Sequence, residues 1–184
     1  ALGGSPHLIA SFPGVAYSNA YHHWVYTGGA FQLGFGLKWC LVTATRTMQW
    51  QYLWLPEEVN LATLYWHLPL NTMDEQAGRT VRHWKDWIAH PTYDDYWREA
   101  QPVDEHYSQI DVAAYSTAGW YDVVLPGALN NFMGVTKHGK TEKARRSQKL
   151  VVGPWIHNRG RNGSLRKTGD IDFGGNAVFD LKAE

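Results

Sequence analysis

Apolar and polar positions divide the chain into three stretches with different periods. In residues 1–36, a short apolar run at 8–12 predicts a strand, and a Pro13-Gly14 break leads into a loop rich in glycine and aromatic residues. In residues 37–109, tryptophans recur at helical spacing among polar residues, and prolines separate short helices. Residues 110–184 return to short apolar runs separated by loops. This order predicts an α/β protein with an all-helical insertion at 37–109.

The third stretch predicts a strand, a helix and a second strand. The run 112–115 suits a buried strand that Gly119 ends, and Pro126 suits the first turn of a helix. That helix would turn three apolar residues inward, namely Leu129, Phe132 and Met133. A second strand-like run, 149–152, is stopped by Gly153-Pro154. A crossover of this kind makes the two strands parallel.

One acidic and one basic side chain follow these two strands. Asp122 comes after the first strand, and His157 follows the second, 35 positions later. Ligands of open α/β sheets bind beyond the carboxyl ends of the strands, and a buried carboxylate can orient a histidine that acts as a base. The pair therefore indicates the acid and base of a nucleophilic hydrolase. Taken without other motifs, an Asp that caps the helix and a hydrogen-bonded surface His fit the same residues equally well.

Charge is unevenly distributed along a chain whose formal net charge is zero. The 184 residues contain 17 Lys+Arg and 17 Asp+Glu, but the basic strip 137–167 carries ten basic residues and one acid, or +9, and the rest of the chain carries −9. A nucleic-acid-binding segment is one interpretation of this strip. It lacks a recognisable binding motif, however, and 137–146 predicts a solvated loop. We therefore do not expect nucleic acid as the main partner.

Composition indicates a globular protein. Hydrophobic residues make up 44% of the chain and charged residues 18%, which supplies enough apolar material for a sizeable core. No run approaches the ~18 consecutive apolar residues of a membrane span, so we expect no membrane partner. Most tryptophans of the helical stretch are assigned to its core, with Trp84, Trp87 and Ile88 on one helical face. The tryptophans of this stretch are Trp39, Trp50, Trp54, Trp66, Trp84, Trp87 and Trp97.

Cysteine and histidine patterns give little indication of metal or redox chemistry. The single cysteine, Cys40, lies in a helical pattern and predicts a buried structural thiol, compatible with a cytoplasmic protein. The nine histidines include the adjacent His22-His23 and the pair His83 and His90, but no His-Glu-x-x-His motif. We expect no metal and no cofactor, and the compartment stays open.

Several motifs together resemble the cocaine esterase-like hydrolases, relatives of the X-Pro dipeptidyl-peptidases, α-amino-acid ester hydrolases and glutaryl acylases. Gly-Trp-Tyr-Asp at 119–122 resembles the acid loop of this family, and Gly-Pro-Trp-Ile-His at 153–157 resembles its base loop, with Phe173-Gly174 following. His-Pro-Thr-Tyr-Asp-Asp-Tyr-Trp at 90–97 resembles its lid segment. The strand at 6–13 and the Gly-Gly-Ala loop at 28–30 also match. The resemblance implies a partial α/β-hydrolase fold, a parallel sheet with crossover helices, with the helical lid inserted at 37–109.

The same resemblance implies catalytic and substrate-binding roles for individual residues. Asp122 would be the triad acid and His157 the general base. The acyl pocket would be lined by Trp24, Trp39 and Val124, with Val124 replacing a larger aromatic residue and widening the pocket. Trp120, in the acid loop, is a further substrate-binding candidate.

The two residues after Asp122 bear on the acyl group. In the amino-acid ester hydrolases, carboxylates just after the triad acid hold the ammonium group of the substrate. Val123 and Val124 occupy those places here. An α-amino acyl substrate is therefore not expected at this site.

The nucleophile of the family has no counterpart in this sequence. A nucleophile elbow has the form Gly-x-Ser-x-Gly, and none of the seven serines fits it. Ser18, between small residues, is the best substitute, while Ser116 lies at a strand end and Ser164 in the basic strip. In the family the elbow precedes the strand that matches 8–12. We therefore expect the nucleophile upstream of Ala1 and a C-terminal jelly-roll domain of the same polypeptide after Glu184.

These observations favour the middle-to-C-terminal part of a serine esterase, an acylase or a dipeptidyl-peptidase-like enzyme that cleaves small ester or amide substrates through an acyl-enzyme. The hydrolase core would comprise 1–36 and 110–184, the latter carrying the acid and base loops. A non-catalytic binding module that keeps the pocket, and a nucleic-acid-binding segment at 137–167, are the alternatives.

Overall fold

A computed structural model describes residues 5–44, 59–157 and 166–178 and divides the chain into two compact units. The first unit combines Ala1–Trp24 with Trp97–Glu184, and the second is Val25–Tyr96. Within the described ranges, no helix has the length and apolar character needed to cross a membrane. The chain thus leaves the first unit after Trp24 and returns to it at Trp97.

A parallel sheet organises the first unit. It consists of β1 (Ala10–Ser11), β2 (Ala113–Tyr121) and β3 (Gln148–Ile156), in the order β1-β2-β3. Strand β1 pairs with the start of β2, and a further parallel bridge joins Gly14 to Thr117. Parallel strands require crossover connections, which the chain supplies before β2 and between β2 and β3.

The two long strands extend further than their apolar runs predict. Strand β2 continues through Gly119 to Tyr121, so the predicted loop at 119–122 is wrong except for Asp122. Strand β3 continues through Gly153-Pro154, which the sequence indicated as its end. Proline is tolerated there because it lies at an irregularity of the ladder, where the regular sequence of N–H donors is interrupted.

The crossover between β2 and β3 contains α6 (Leu125–His138) and α7 (Glu142–Arg146). Pro126 lies in the first turn of α6, as predicted. The buried face of α6 differs from the prediction, because it consists of Gly127, Ala128 and Val135, whereas Leu129 and Met133 are exposed. Small residues let the helix approach its neighbours closely, and bulky ones are left on the outer side.

A short helix replaces the predicted loop at 137–146. Thr141 caps α7, since its hydroxyl oxygen accepts a hydrogen bond from the Ala144 backbone N–H at 3.1 Å. After β3, strands β4 (Lys167–Thr168) and β5 (Ile171–Asp172) form an antiparallel hairpin. Thr168 donates from its hydroxyl to the Pro154 carbonyl at 2.6 Å, which joins the hairpin to β3.

The second unit is helical. It contains α1 (Leu33–Thr43), α2 (Leu61–Leu64), α3 (Met73–Gln76) and α4 (Arg82–Ala89), while α5 (Asp95–Glu99) runs from this unit into the first. The predicted lid range, 37–109, is displaced relative to this unit. One reason lies in Val25–Phe31, whose aromatic rings pack on the helices: Tyr26 contacts Phe31, and Phe31 contacts Trp84.

Two of the seven assigned tryptophans are buried in the core of the helical unit. Trp84 and Trp87 are buried on α4, and Tyr26 donates from its hydroxyl to the Trp87 carbonyl at 2.9 Å. Trp66 is an exception, since it is 88% exposed. Trp97 is buried in the first unit, and Trp50 and Trp54 lie outside the described residues.

Cys40 is fully buried in α1, and burial raises the pKa of its thiol. The prediction of a buried thiol is confirmed. Short turns complete the described structure: a π-helical turn at Tyr21–Val25, and 3-10 turns at Thr27–Gly29, Leu70–Thr72, Val103–Glu105, Tyr107–Gln109 and Gly175–Ala177.

Candidate active site

The pairing of β2 with β3 changes register near the carboxyl ends of both strands. Gly119 lies opposite Gly153, whereas Tyr121 lies opposite Ile156. One residue separates the two pairing positions in β2 and two separate them in β3, so β3 carries one extra residue at Pro154-Trp155. This irregularity is a β-bulge on the strand that leads to the histidine.

The bulge brings the predicted acid and base together. Asp122 follows Tyr121 and His157 follows Ile156, so the shifted register sets these two residues side by side. Side chains on a strand alternate between faces, and a register change of one residue moves a side chain to the opposite face. With the register of the preceding residues, Asp122 would instead lie beside Ile156. The extra residue of β3 therefore aligns His157 with Asp122.

Two glycines allow the strands to approach at the bulge. A Cβ atom added to Gly119 would lie 2.1 Å from the Trp155 carbonyl oxygen, and one added to Gly153 would lie 2.4 Å from the Trp155 indole. The buried indole is fixed because its N–H donates to the Ala177 carbonyl at 2.7 Å. Any larger residue at Gly119 or Gly153 would displace Trp155 and the strand segment that precedes His157.

Asp122 has a buried carboxylate, and its two described side-chain hydrogen bonds are both accepted by Oδ1. Its side chain is 0% exposed, and Oδ1 accepts from His157 Nδ1 at 2.9 Å and from the Val124 backbone N–H at 2.9 Å. Its backbone carbonyl accepts from the Leu125 N–H at 3.1 Å, which joins the loop to the start of α6. Among the described residues, Oδ2 has no hydrogen-bond partner. The strand end and the helix start thus fix the carboxylate from both sides.

His157 lies between this carboxylate and solvent. Its side chain is 27% exposed. Since Nδ1 faces Asp122, Nε2 lies on the opposite edge of the imidazole ring. A buried carboxylate in this position sets the ring orientation and favours the tautomer with hydrogen on Nδ1. The arrangement can accept a proton at Nε2 and stabilise the resulting imidazolium.

The predicted acyl-pocket residues have different surroundings. Trp24 is half-buried on the π-helical turn, where Tyr17 stacks on it with ring centroids 5.2 Å apart. Val124 is only 2% exposed and contributes its N–H to Asp122, whereas Val123 is exposed. Val124 thus offers little surface to a substrate within the described structure, because its side chain is buried at the start of α6. Trp39 lies on α1 of the helical unit, stacked with Phe35.

Trp120 borders a different cleft from the one expected. The cleft has a volume of about 380 Å³, and its described lining includes Trp120, Pro154, Phe173 and Val178 but neither member of the Asp–His pair. The Trp120 ring packs edge-on against Phe173 at 6.1 Å between centroids. Its position on the β2 end therefore places it against the segment that follows the hairpin.

His23 forms a hydrogen-bonded pair with Ser18 that no sequence motif indicated. Ser18 Oγ lies 2.8 Å from His23 Nδ1, and Ser18 is 1% exposed. Burial keeps a substrate carbonyl away from this hydroxyl, so Ser18 is a poor candidate for a nucleophile. Ser18 and His23 are five positions apart, and this spacing carries no sequence signal that could have revealed the contact. Ser116 lies within β2, and Ser164 lies outside the described residues.

Several side chains of the basic strip are engaged by neighbouring groups of the same chain. Arg146 pairs with Glu142 at 2.8 Å, Arg166 pairs with Asp172 at 2.7 Å, and Arg145 donates to the Gly139 carbonyl at 2.7 Å. Lys149 lies over the Tyr115 ring. These contacts do not favour the nucleic-acid interpretation.

Two further histidines bind ordinary hydrogen-bonding partners. His83 contacts the Thr43 hydroxyl at 3.3 Å, and His90 pairs with Asp94 at 2.7 Å while stacking on Tyr96. Across residues 5–44, 59–157 and 166–178, no cluster of three or more His, Cys, Asp or Glu could hold a metal ion.

Comparisons with known proteins identify the family of this chain. The family model described as X-Pro dipeptidyl-peptidase (S15 family) matches residues 1–159. The cocaine esterase of Rhodococcus sp. (strain MB1 Bresler) is 28% identical over 196 residues, which cover 99% of this chain and 32% of that protein. The chain thus spans about a third of the length of this curated relative, and the predicted resemblance is confirmed.

Solved structures confirm the predicted fold class. An aminopeptidase from the marine sediment archaeon Thaumarchaeota archaeon superposes with a TM-score of 0.69 at 22% identity, over 92% of this chain and 28% of that one. An α-amino acid ester hydrolase labelled with selenomethionine superposes with a TM-score of 0.63 at 18% identity, over 89% of this chain and 27% of that one. The fold is of the α/β-hydrolase type. With its family model matched across the sheet, the helical unit and the Asp–His pair, the chain belongs to the X-Pro dipeptidyl-peptidase (S15) family.

Proposed function

We propose that this chain supplies the acid and the base of a serine hydrolase that cleaves ester or amide bonds through an acyl-enzyme. The observation that carries the proposal is the 2.9 Å contact between His157 Nδ1 and the buried Asp122 carboxylate, at the carboxyl ends of adjacent parallel strands. Family membership supports the same chemistry.

In this mechanism His157 moves protons and Asp122 keeps it oriented. As a serine hydroxyl attacks the substrate carbonyl, its proton passes to His157 Nε2, and the imidazolium is stabilised by the Asp122 carboxylate. His157 then gives the proton to the departing alcohol or amine. In the second half of the reaction His157 takes a proton from water, which attacks the acyl-enzyme, and returns it to the serine oxygen.

The attacking serine comes from another part of the same polypeptide in this proposal. The 184 residues contain no Gly-x-Ser-x-Gly, and the curated relative is about three times longer than its match to this chain. The elbow would precede β1 and would also bring the oxyanion donors. A C-terminal jelly-roll domain would follow Glu184, as the resemblance implies.

The residues beside Asp122 bear on the preferred acyl group. Val123 is 45% exposed, and neither Val123 nor Val124 can pair with an ammonium group. We therefore expect a phenylacetyl ester to be hydrolysed with a higher kcat/KM than the matching α-amino ester, phenylglycine methyl ester. The reverse order, measured on the full gene product, would reject this assignment.

Covalent labelling tests the proposed nucleophile and its base together. A fluorophosphonate should label one serine of the full gene product, and peptide mass spectrometry should place that serine outside residues 1–184. The variants His157→Ala and Asp122→Ala should lose labelling and lower kcat by about 10³-fold or more. Matched controls are His138→Ala on α6 and Asp170→Ala in the hairpin, both at exposed positions.

Other labelling results would reject the proposal. A labelled serine within 1–184, or labelling and turnover unchanged by His157→Ala, would remove the assigned roles. Saturable binding of aryl esters by the full gene product without turnover or labelling would favour the non-catalytic binding module.

A further inference from the structure

The loop between β1 and the π-helical turn lies at the same sheet edge as the Asp–His pair. It starts at Gly14, which bridges to Thr117, five positions before Asp122 on the neighbouring strand. Carboxyl ends of parallel strands share one edge of the sheet, so the loop 15–24 borders the site that Asp122 and His157 occupy. Its first residue, Val15, has a φ of 51°, which is unusual for a β-branched side chain. Surrounding contacts must therefore hold this loop in place.

Buried Ser18 and half-buried His23 of this loop belong to a chain of hydrogen bonds in which each group donates to the next. Asn130 Nδ2 donates to His23 Nε2 at 3.0 Å, so Nε2 carries no hydrogen. The neutral imidazole then has its hydrogen on Nδ1, which donates to Ser18 Oγ at 2.8 Å. The Ser18 hydroxyl in turn hydrogen-bonds to Tyr107. Burial raises the pKa of Tyr107 to about 12, which keeps its phenol neutral.

The relay returns to the helix from which it started. Tyr107 donates from its hydroxyl to Asn131 Oδ1 at 3.5 Å, and Asn131 Nδ2 donates to the Tyr17 carbonyl at 3.3 Å. Asn130 and Asn131 are neighbours on α6, the helix that begins immediately after the Asp122 loop. We call these side chains the His23 relay: Asn130, His23, Ser18, Tyr107 and Asn131. It joins the loop to α6 at two adjacent positions.

Backbone contacts reinforce the same connection. A Cβ atom added to Gly127 of α6 would lie 2.7 Å from the Tyr17 Cα atom, so helix and loop backbones are in direct contact. The Ser18 carbonyl also accepts from the Val103 N–H at 2.7 Å. Even a small displacement of the loop would break these contacts and those of the relay.

What the relay holds in place is an aromatic pair. Tyr17 precedes Ser18, and Trp24 follows His23, so the two rings of the stacked pair adjoin the two linked residues of the loop. Their planes are within 18° of parallel. If the hydrogen bond between Ser18 and His23 breaks, Tyr17 and Trp24 are no longer held at a fixed position relative to each other.

We propose that His23, as a neutral imidazole held by Asn130 and Ser18, is a positioning residue that fixes the Tyr17–Trp24 pair beside the catalytic site. The inference rests on the proposed function, because it treats this aromatic pair as a wall that binds the acyl group of the substrate. His23 touches neither the substrate nor the reacting atoms in this role.

Kinetics of the full gene product test the substrate-binding part. His23→Ala should raise KM for a phenylacetyl ester by about two- to tenfold, the loss expected for one or two hydrogen bonds, with kcat nearly unchanged. His23→Gln and His23→Asn each keep one of the two hydrogen bonds. Their KM values should therefore lie between those of the wild type and His23→Ala. His22→Ala is the matched control, since His22 is the exposed neighbour on the same turn. An unchanged KM in His23→Ala would overturn the proposal, as would a loss confined to kcat.

A measurement independent of activity separates this inference from the proposed function. In protein labelled with 5-fluorotryptophan, the ¹⁹F resonance of Trp24 can be assigned by its absence in Trp24→Phe. It should shift or broaden in His23→Ala and in Asn130→Leu, and keep its position in His22→Ala. If the resonance is unchanged in His23→Ala while the melting temperature falls, His23 has a structural role only and the inference fails. If the resonance shifts but the wild type hydrolyses no ester, the positioning stands and the proposed function fails.

Discussion

Burial decides the charge of His23. It lowers the pKa of the imidazole, with a smaller effect in the same direction from His22, while Asp104 acts in the opposite direction. The two relay partners, Asn130 and Ser18, are neutral. A second proton would go to Nε2, where it would face the Asn130 amide hydrogens. Protonation therefore breaks the bond between His23 and α6.

This coupling predicts acid sensitivity of the folded state. Because the folded pKa lies below the ordinary histidine value of 6.5, the unfolded chain binds more protons than the folded chain as pH falls below 6.5. The free energy of unfolding should therefore be fully retained above pH 6.5 and decline as pH falls from there through the folded pKa. Melting temperatures of the full gene product measured from pH 8 to pH 5 should show a smaller acid decline in His23→Gln than in the wild type.

Two variants sharpen the test. His22→Ala should keep the wild-type acid decline almost unchanged. Asn130→Asp places a carboxylate beside His23 Nε2 and favours the imidazolium. The free energy of unfolding should therefore fall less in acid than it does in the wild type. An equal decline in wild type and His23→Gln would show that other groups, such as His83, whose pKa is also lowered by burial, dominate.

Single residues of the site differ in how far the sequence could predict them. Asp122 and His157 followed from their order after two strands together with the loop motifs that surround them. Val124 was expected to line a pocket but is buried, because whether a residue at a helix start faces outward depends on how the helix docks. The contact between Ser18 and His23 depends on a loop held by three other segments, so no local pattern could indicate it.

At the scale of elements, the approach of β2 to β3 depends on Gly119. Gly119→Ala would place a methyl group against the Trp155 carbonyl, and the resulting strain should lower the free energy of unfolding by about 1–3 kcal/mol. The displacement should also separate His157 from Asp122 and reduce kcat. Urea unfolding and ester kinetics of the full gene product measure the two effects.

Gly175→Ala is a suitable control for that variant. No atom lies within 4 Å of a Cβ built at Gly175, so this change should leave both stability and kcat near the wild-type values. Equal effects of the two substitutions would show that Gly119 is not required for the close approach of the strands.

A buried carboxylate organises the helical unit in a comparable way. Asp74 is fully buried, and its Oδ2 accepts from the Val81 N–H at 2.7 Å at the start of α4, while Lys85 approaches Oδ1 at 3.3 Å. Asp74→Ala leaves the buried Val81 N–H without this acceptor, which should cost about 1–3 kcal/mol. Hydrogen exchange should become faster at 74–89. Arg82→Ala, which removes an exposed ion pair with Asp86, should leave the exchange unchanged.

The elements themselves were predicted better than their ends. Both long strands, and α6 with Pro126 in its first turn, follow from local patterns. Gly119 and Gly153-Pro154 were interpreted as strand ends because these residues usually terminate strands. In the folded chain they form the bulge instead, and that role depends on tertiary contact with Trp155.

At the scale of the whole molecule, the described sheet leaves apolar surface exposed. Ile9 and Phe12, which flank β1, are both exposed, although parallel sheets are normally covered on both faces. This agrees with the proposal that further parts of the polypeptide complete the site. The 184 residues contain the proposed acid and base but no Gly-x-Ser-x-Gly motif.

The isolated chain 1–184 should therefore be inactive. Purified 1–184 should hydrolyse no aryl ester above the buffer rate and should not react with a fluorophosphonate, whereas the full gene product should do both. Turnover by 1–184 that disappears in His157→Ala would show that the chain contains its own nucleophile.

The bulge in β3 makes the site depend on residue count more than on residue type. Inserting one residue between Gly153 and His157, with the bulge unchanged, would leave His157 one position beyond Asp122 and turn its side chain to the other face of the sheet. Deleting one residue there would instead remove the bulge and leave the two residues opposite each other in a regular ladder. Insertions in the connection between α6 and α7 would leave both strand ends where they are. When relatives are aligned, insertions in that connection are thus compatible with a retained Asp–His pair, whereas an insertion between the Gly153 position and the His157 position signals a histidine that is no longer aligned with the carboxylate.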